Sequence, residues 1–138
     1  MRKVLILCTG NFCRSIMAEA LINHFLGDDW QAFSAGVEPS RVNPLAERVL
    51  REMGIDTSSY RSKSVSEFLA RDDLDLVITV CDHARESCPI FLKPIPQVHL
   101  GIADPAPYTF ADEETTLQHF RQTREEVIQK VLVWLKAH

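Results

Sequence analysis

No stretch of this sequence approaches the ~18 consecutive apolar residues that a membrane-spanning helix needs. The apolar run near its start, Val4 to Leu7, stops after four residues, short of the roughly 7 to 15 of a secretory signal. Neither insertion in a membrane nor export is expected. Positive charge is scarce too: 15 Lys and Arg against 19 Asp and Glu leave a net charge of −4, which argues against a broad polyanion-binding face and against nucleic acid as a partner. With five glycines in 138 residues and no repeat or low-complexity tract, nothing resembles an interdomain linker. The length suits one domain, expected to be a monomer. Cysteine is also sparse, present as Cys8, Cys13, Cys81 and Cys88. In a chain expected to be cytoplasmic, four thiols are candidates for catalysis, redox exchange or metal binding rather than a fixed disulfide framework.

What is present is an alternation of strand and helix signals. Lys3 to Leu7 is a short, continuously apolar run, as in a buried parallel strand. From Ser15 the residues Ile16, Met17, Ala20, Leu21 and Phe25 recur at helical spacing, with Gly27 as a plausible cap. Trp30 to Ala35 reads as a strand halted by Gly36. Asn43-Pro44 is a cap followed by a first-turn proline, opening a helix that Gly54 ends. A polar loop leads to a short helix around Ser66 to Ala70. Leu74 to Val80 is the strongest strand, Asp82 to Ser87 allows a turn or two of helix, and Gln97 to Leu100 is a weaker strand. Leu117, Phe120, Arg124, Val127, Ile128, Val131, Leu132 and Leu135 form one long helical stripe. The expected fold is therefore α/β, a single doubly wound domain with a roughly four-stranded parallel sheet and helices on both faces. Ligands of such sheets bind beyond the carboxyl ends of strands, where Cys8 and Cys81 fall.

The segment Cys8-Thr9-Gly10-Asn11-Phe12-Cys13-Arg14-Ser15 joins the first strand to the first helix. A loop feeding a helix N-terminus offers free backbone N–H groups and the positive end of the helix dipole, a cradle for a tetrahedral oxyanion. Gly10 gives the backbone latitude that such a cradle uses. The same field favours Cys8 as a thiolate nucleophile. Arg14 can grip two oxyanion oxygens, and the Ser15 hydroxyl can hydrogen-bond the sulfur. Each residue alone reads as ordinary buried or solvated structure; the whole constellation points to an anion site with a nucleophile, its substrate-binding set being Thr9, Gly10, Asn11, Phe12, Cys13 and Arg14.

These residues, together with Met17-Ala18-Glu19, Ser34-Ala35-Gly36 and Asp104-Pro105, resemble the low-molecular-weight protein tyrosine phosphatases and the arsenate reductases that share their fold. The resemblance implies that Cys8 attacks the bound oxyanion, Arg14 stabilises it, and Asp104 is the general acid. Taken alone, Asp104 before Pro105 reads as a turn residue. A phosphatase needs one cysteine, whereas Cys81-Asp82-His83-Ala84-Arg85-Glu86-Ser87-Cys88-Pro89 resembles the thioredoxin-coupled arsenate reductases. That resemblance implies a covalent arseno adduct on Cys8, a Cys8–Cys81 disulfide as arsenite leaves, and a final Cys81–Cys88 disulfide. Thioredoxin or glutaredoxin would reduce it, with no cofactor on the chain. Were Cys81 and Cys88 on one continuous helix, about 1.5 Å rise per residue would part their Cα atoms by roughly 10.5 Å, beyond the ~7 Å limit of a disulfide. Oxidation must then unwind residues 82 to 88.

Rival readings remain open. Cys81, His83 and Cys88 are plausible zinc ligands, although six intervening residues exceed the usual two to four, so no metal is expected. A phosphomonoesterase using Cys8, Arg14 and Asp104 is the main alternative, with Tyr108 near the acid loop as a substrate-flanking aromatic. A noncatalytic anion or metal sensor is the third. Cys13 is left without a distinctive role, and among the five histidines only His83 is placed to tune the redox thiols. The resemblance also implies a potassium site near Asn11, Glu19 and Ser34 in some reductases. Here Arg61 and Lys63 stand nearby, and a lysine ammonium would repel that ion and occupy its place.

Overall fold

The computed structural model describes residues 1–105 and 112–138; Tyr108 lies outside them. Four parallel strands, β1 (Arg2–Cys8), β2 (Trp30–Gly36), β3 (Leu76–Thr79) and β4 (Gln97–His99), form one sheet in the order β2-β1-β3-β4. The central strand β1 carries Val4, Leu5, Ile6 and Leu7 wholly out of solvent, which is why it reads as an unbroken apolar run instead of an alternating one. The chain steps from β1 to β2 on one side, then returns past β1 to β3. Parallel neighbours of this kind need crossover connections, and helices supply them, as the sequence leads one to expect.

Helix α1 (Arg14–Phe25) packs on β1 and β2, while α3 (Asp82–Glu86) touches β1 and β3. α2 (Pro44–Arg51) begins at Asn43, whose side chain accepts the Leu45 N–H at 2.8 Å, and its exit passes through Gly54 at φ 79°. A 3-10 turn, Val65–Phe68, replaces the expected helix at 66 to 70. Leu26, not Gly27, caps α1. The last stripe is interrupted: α4 (Glu113–Val127) runs into a π-helical stretch, Ile128–Leu132, before α5 (Val133–Ala137). Its apolar residues Leu117, Phe120, Val127, Val131, Leu132 and Leu135 are all buried. Arg124 leaves the stripe's apolar role and donates to Val49 O at 2.8 Å and to Glu52 at 2.9 Å, tying α4 to the end of α2.

The switch in strand order lies between β1 and β3, where the register pairs Leu7 with Thr79. The loops that leave these two strands therefore emerge side by side, one bearing Cys8 and the other Cys81. On the other flank Cys8 pairs with Gly36. A Cβ on Gly36 would stand 2.7 Å from Thr9 O and 2.8 Å from Asn11 N, contacts with backbone that no rotamer change relieves. Gly36→Ala is accordingly expected to lower unfolding free energy by about 1–3 kcal/mol, measured by urea denaturation. A loss under half a kcal/mol would show that the loop yields instead.

Candidate active site

The loop between β1 and α1 turns at Asn11, a non-glycine residue at φ 47°. Gly10, expected to supply the unusual backbone, is not the left-handed residue; Asn tolerates that region when its side chain finds local partners. Asn11 is fully buried, and its amide turns away from solvent. Nδ2 donates to Ser15 Oγ at 2.8 Å and to Ser34 Oγ at 3.0 Å, while Oδ1 accepts the Lys63 backbone N–H at 2.8 Å. The turn brings the Asn11 backbone N–H to 3.2 Å from Cys8 Sγ, and Ser15 Oγ lies 2.8 Å from the same sulfur. Two polar groups thus converge on Cys8.

Cys13, the N-cap of α1, makes no side-chain cap, and the first turn of the helix holds no acidic residue. The helix end is left electropositive toward the loop, as an anion cradle requires. A cleft of about 290 Å³ opens there, lined by Cys8, Thr9, Gly10, Phe12, Arg14 and Asp104, with Cys13 and Ser40 completing it. The Arg14 guanidinium donates to Ile102 O at 3.2 Å and stands 3.7 Å from Asp104. The cation and the candidate acid therefore meet in the cleft that also holds the Cys8 sulfur. Asn11 and Ser15 do not line it; they hold the loop from behind. Burial pushes the Cys13 thiol far up, with the Asp104 carboxylate and Cys8 adding to the effect, so Cys13 is held as a neutral thiol.

Cys81 follows β3 and caps α3, accepting the Ala84 N–H at 3.4 Å. Its sulfur is also 3.2 Å from Thr9 Oγ1. This contact joins the second thiol to the residue beside the first. Cys88 lies beyond the end of α3, since the helix stops at Glu86 with Ser87 as its cap. All four cysteines are free. Cys88 is half-buried, and burial raises its thiol, against a hydrogen bond with Gln97. His83 faces Glu38 at 3.7 Å. His99 carries no local sequence signal, yet its ring contacts Thr79 Oγ1 at 2.8 Å and Asp82 at 3.2 Å. It ties the start of α3 to β4, a contact between residues too far apart in sequence to be foreseen. Among the described residues no three His, Cys, Asp or Glu side chains converge as a metal set, and no helix is long and apolar enough to cross a membrane.

Behind the loop, Ser34 donates to Glu19 at 2.5 Å, and the Lys63 ammonium stands 3.6 Å from Glu19 and 3.5 Å from Ser34. A tethered cation thus sits where the resemblance implied a potassium ion. Exchanging potassium for sodium is expected to leave the melting temperature unchanged; a potassium-dependent rise in a thermal scan would contradict this placement.

Residues 3–137 match the profile of the low molecular weight phosphotyrosine protein phosphatase family. The arsenate reductase of Halalkalibacterium halodurans is 42% identical over 125 residues, 91% of this chain and 88% of that protein. A solved arsenate reductase in its phosphate-binding state superposes with a TM-score of 0.71 at 32% identity, covering 94% of this chain and 92% of the other. The YwlE arginine phosphatase from Geobacillus stearothermophilus gives a TM-score of 0.70 at 26% identity, covering 94% and 87%. Both chemistries thus occur on this fold among its relatives, and the chain belongs to the low molecular weight phosphotyrosine protein phosphatase family.

Proposed function

We propose that this chain reduces arsenate to arsenite by passing oxidation from Cys8 to Cys81 to Cys88. The observation that carries the reading is the Thr9–Cys81 contact at 3.2 Å, which holds a second thiol at the rim of the anion loop where a phosphatase has no use for one. The homologues named arsenate reductase support it.

In the proposed sequence, the oxyanion seats on the loop N–H groups and Arg14, and the Cys8 thiolate attacks arsenic. Asp104 supplies a proton to the departing oxygen, which leaves as water. Cys81 then attacks Cys8 Sγ. The sulfur–arsenic bonding pair stays on arsenic, reducing As(V) to As(III), and a Cys8–Cys81 disulfide forms. Cys88 attacks Cys81, freeing Cys8 and leaving a Cys81–Cys88 disulfide. Two thiols provide both electrons, so the chain needs no flavin or nicotinamide of its own. A dithiol protein, thioredoxin or glutaredoxin, restores the pair, which fits a cytoplasmic setting. Ile90 is 95% exposed and Leu92 75% exposed, just beyond Cys88, offering that partner an apolar footing beside the outgoing disulfide.

A phosphomonoesterase is the second reading, favoured by Arg14 and Asp104 sharing the cleft with Cys8. The two part at Cys88. Cys88→Ser is expected to abolish thioredoxin-dependent NADPH consumption with arsenate while leaving Cys8 able to hydrolyse an aryl phosphate. Persisting turnover with arsenate would overturn the relay.

The helix between the two thiols stops at Glu86, short of Cys88, so the separation expected for one continuous helix does not apply; we propose that closing the Cys81–Cys88 disulfide nonetheless opens the bonds Arg85 N to Cys81 O at 3.1 Å and Ser87 N to His83 O at 2.9 Å. Faster hydrogen exchange over 82–88 is expected in the oxidised protein; identical exchange in both states would contradict the unwinding.

A further inference from the structure

Glu19 on α1 and Lys63 in the loop after α2 make an ion pair in which each side chain is only 10% exposed. Neither lines the cleft that receives the oxyanion. Isolated buried pairs contribute little to stability, so the pair's place against the anion loop calls for another account. We propose that Lys63 is a positioning residue for the Cys8 nucleophile: its ammonium keeps Glu19 ionised, and the carboxylate sets the direction of a hydrogen-bond chain through Ser34, Asn11 and Ser15 to the Cys8 sulfur.

The direction follows from counting donors. An ionised carboxylate only accepts, so Ser34 commits its one hydrogen to Glu19 at 2.5 Å. Ser34 Oγ is left to accept from Asn11 Nδ2 at 3.0 Å. The Asn11 amide is oriented by its oxygen, which accepts the Lys63 backbone N–H, so its other Nδ2 hydrogen goes to Ser15 Oγ at 2.8 Å. Ser15 then turns its own hydrogen to Cys8 Sγ, 2.8 Å away. A donor aimed at sulfur favours thiolate over thiol.

Protonating Glu19 reverses the first link. The acid donates to Ser34, whose hydrogen then points back toward Asn11. That hydrogen meets the Asn11 Nδ2 hydrogens, so either the Asn11–Ser34 bond breaks or the amide flips and its oxygen gives up the Lys63 backbone N–H; both loosen the hold of Asn11 on Ser15 and the aim of Ser15 at Cys8. The countercharge is therefore decisive. Burial pushes the Glu19 carboxyl up, and Lys63 is the leading charge opposing it; burial lowers Lys63, and Glu19 opposes that in turn. The other charged or titratable groups facing the pair are Arg61, Glu67 and Tyr60. Arg61 is engaged by Glu67 at 2.8 Å, which leaves Lys63 as the principal partner of Glu19.

This inference rests on Cys8 being the attacking thiolate, as the proposed function has it, but its test needs no turnover. Iodoacetamide alkylation of Cys8, followed on its own peptide by mass spectrometry across pH, reads the thiolate directly. Lys63→Met is expected to displace the profile to higher pH by about one unit, a tenfold loss of reactivity on its acid side, and Lys63→Arg to restore it. An unchanged profile in folded Lys63→Met, or an equal displacement in Lys63→Arg, overturns the assignment. If Lys63→Met fails to fold, carbon-13 NMR of the native protein decides. The Glu19 carboxyl, assigned through bonds, is expected to be ionised at pH 7, and a protonated Glu19 there refutes the inference. Normal alkylation behaviour without arsenate turnover would count against the proposed function alone.

Discussion

Asn11 is buried with its backbone at φ 47°, and its amide must satisfy two donors and an acceptor without water. It does so with Ser15, Ser34 and the Lys63 backbone, residues from α1, β2 and a distant loop. Those bonds hold the turn that brings the Asn11 N–H to the Cys8 sulfur. The cleft, the uncapped start of α1 and the approach of Arg14 all depend on this turn. Gly36 lets β2 lie close enough for Ser34 to take part, since any Cβ there would collide with the Thr9 and Asn11 backbone. The site is thus held from behind by packing and from within by one side-chain amide, while its front is left to the ligand.

The sheet adds a second element by topology alone. Because β3 lies beside β1, the thiol delivered by β3 emerges beside the loop delivered by β1, and Thr9 takes up the contact. Cys88 is set apart from Cys81 by the short helix α3. The proposed relay between them would couple chemistry in the cleft to a change of shape near the exposed side chains of Ile90 and Leu92.

Much of this is legible in the sequence. Continuous burial marks β1 as a run of Val, Leu and Ile, Asn43-Pro44 declares the start of α2, and the Cys8 to Ser15 segment carries its chemistry in eight adjacent residues. What could not be read depends on contacts between distant parts of the chain. Gly10 was the natural candidate for the unusual backbone, yet Asn11 takes it because partners from residues 34 and 63 reward its amide. Gly36 looked like a strand stop, and its steric role exists only once the loop is packed on it. The apolar stripe of the last helix carries no sign of the π-helical stretch at Ile128–Leu132, since burial of Val131 and Leu132 is compatible with either winding. His99 had no local signal at all.

The central claim is that three thiols carry out one two-electron reduction in order. It is tested most directly by mixing the fully reduced protein with one equivalent of arsenate, without any reductant, and mapping its disulfides while arsenic speciation is measured. The account predicts one arsenite released per chain and a Cys81–Cys88 disulfide, with Cys8 and Cys13 still free. No arsenite, with all four thiols intact, would contradict it.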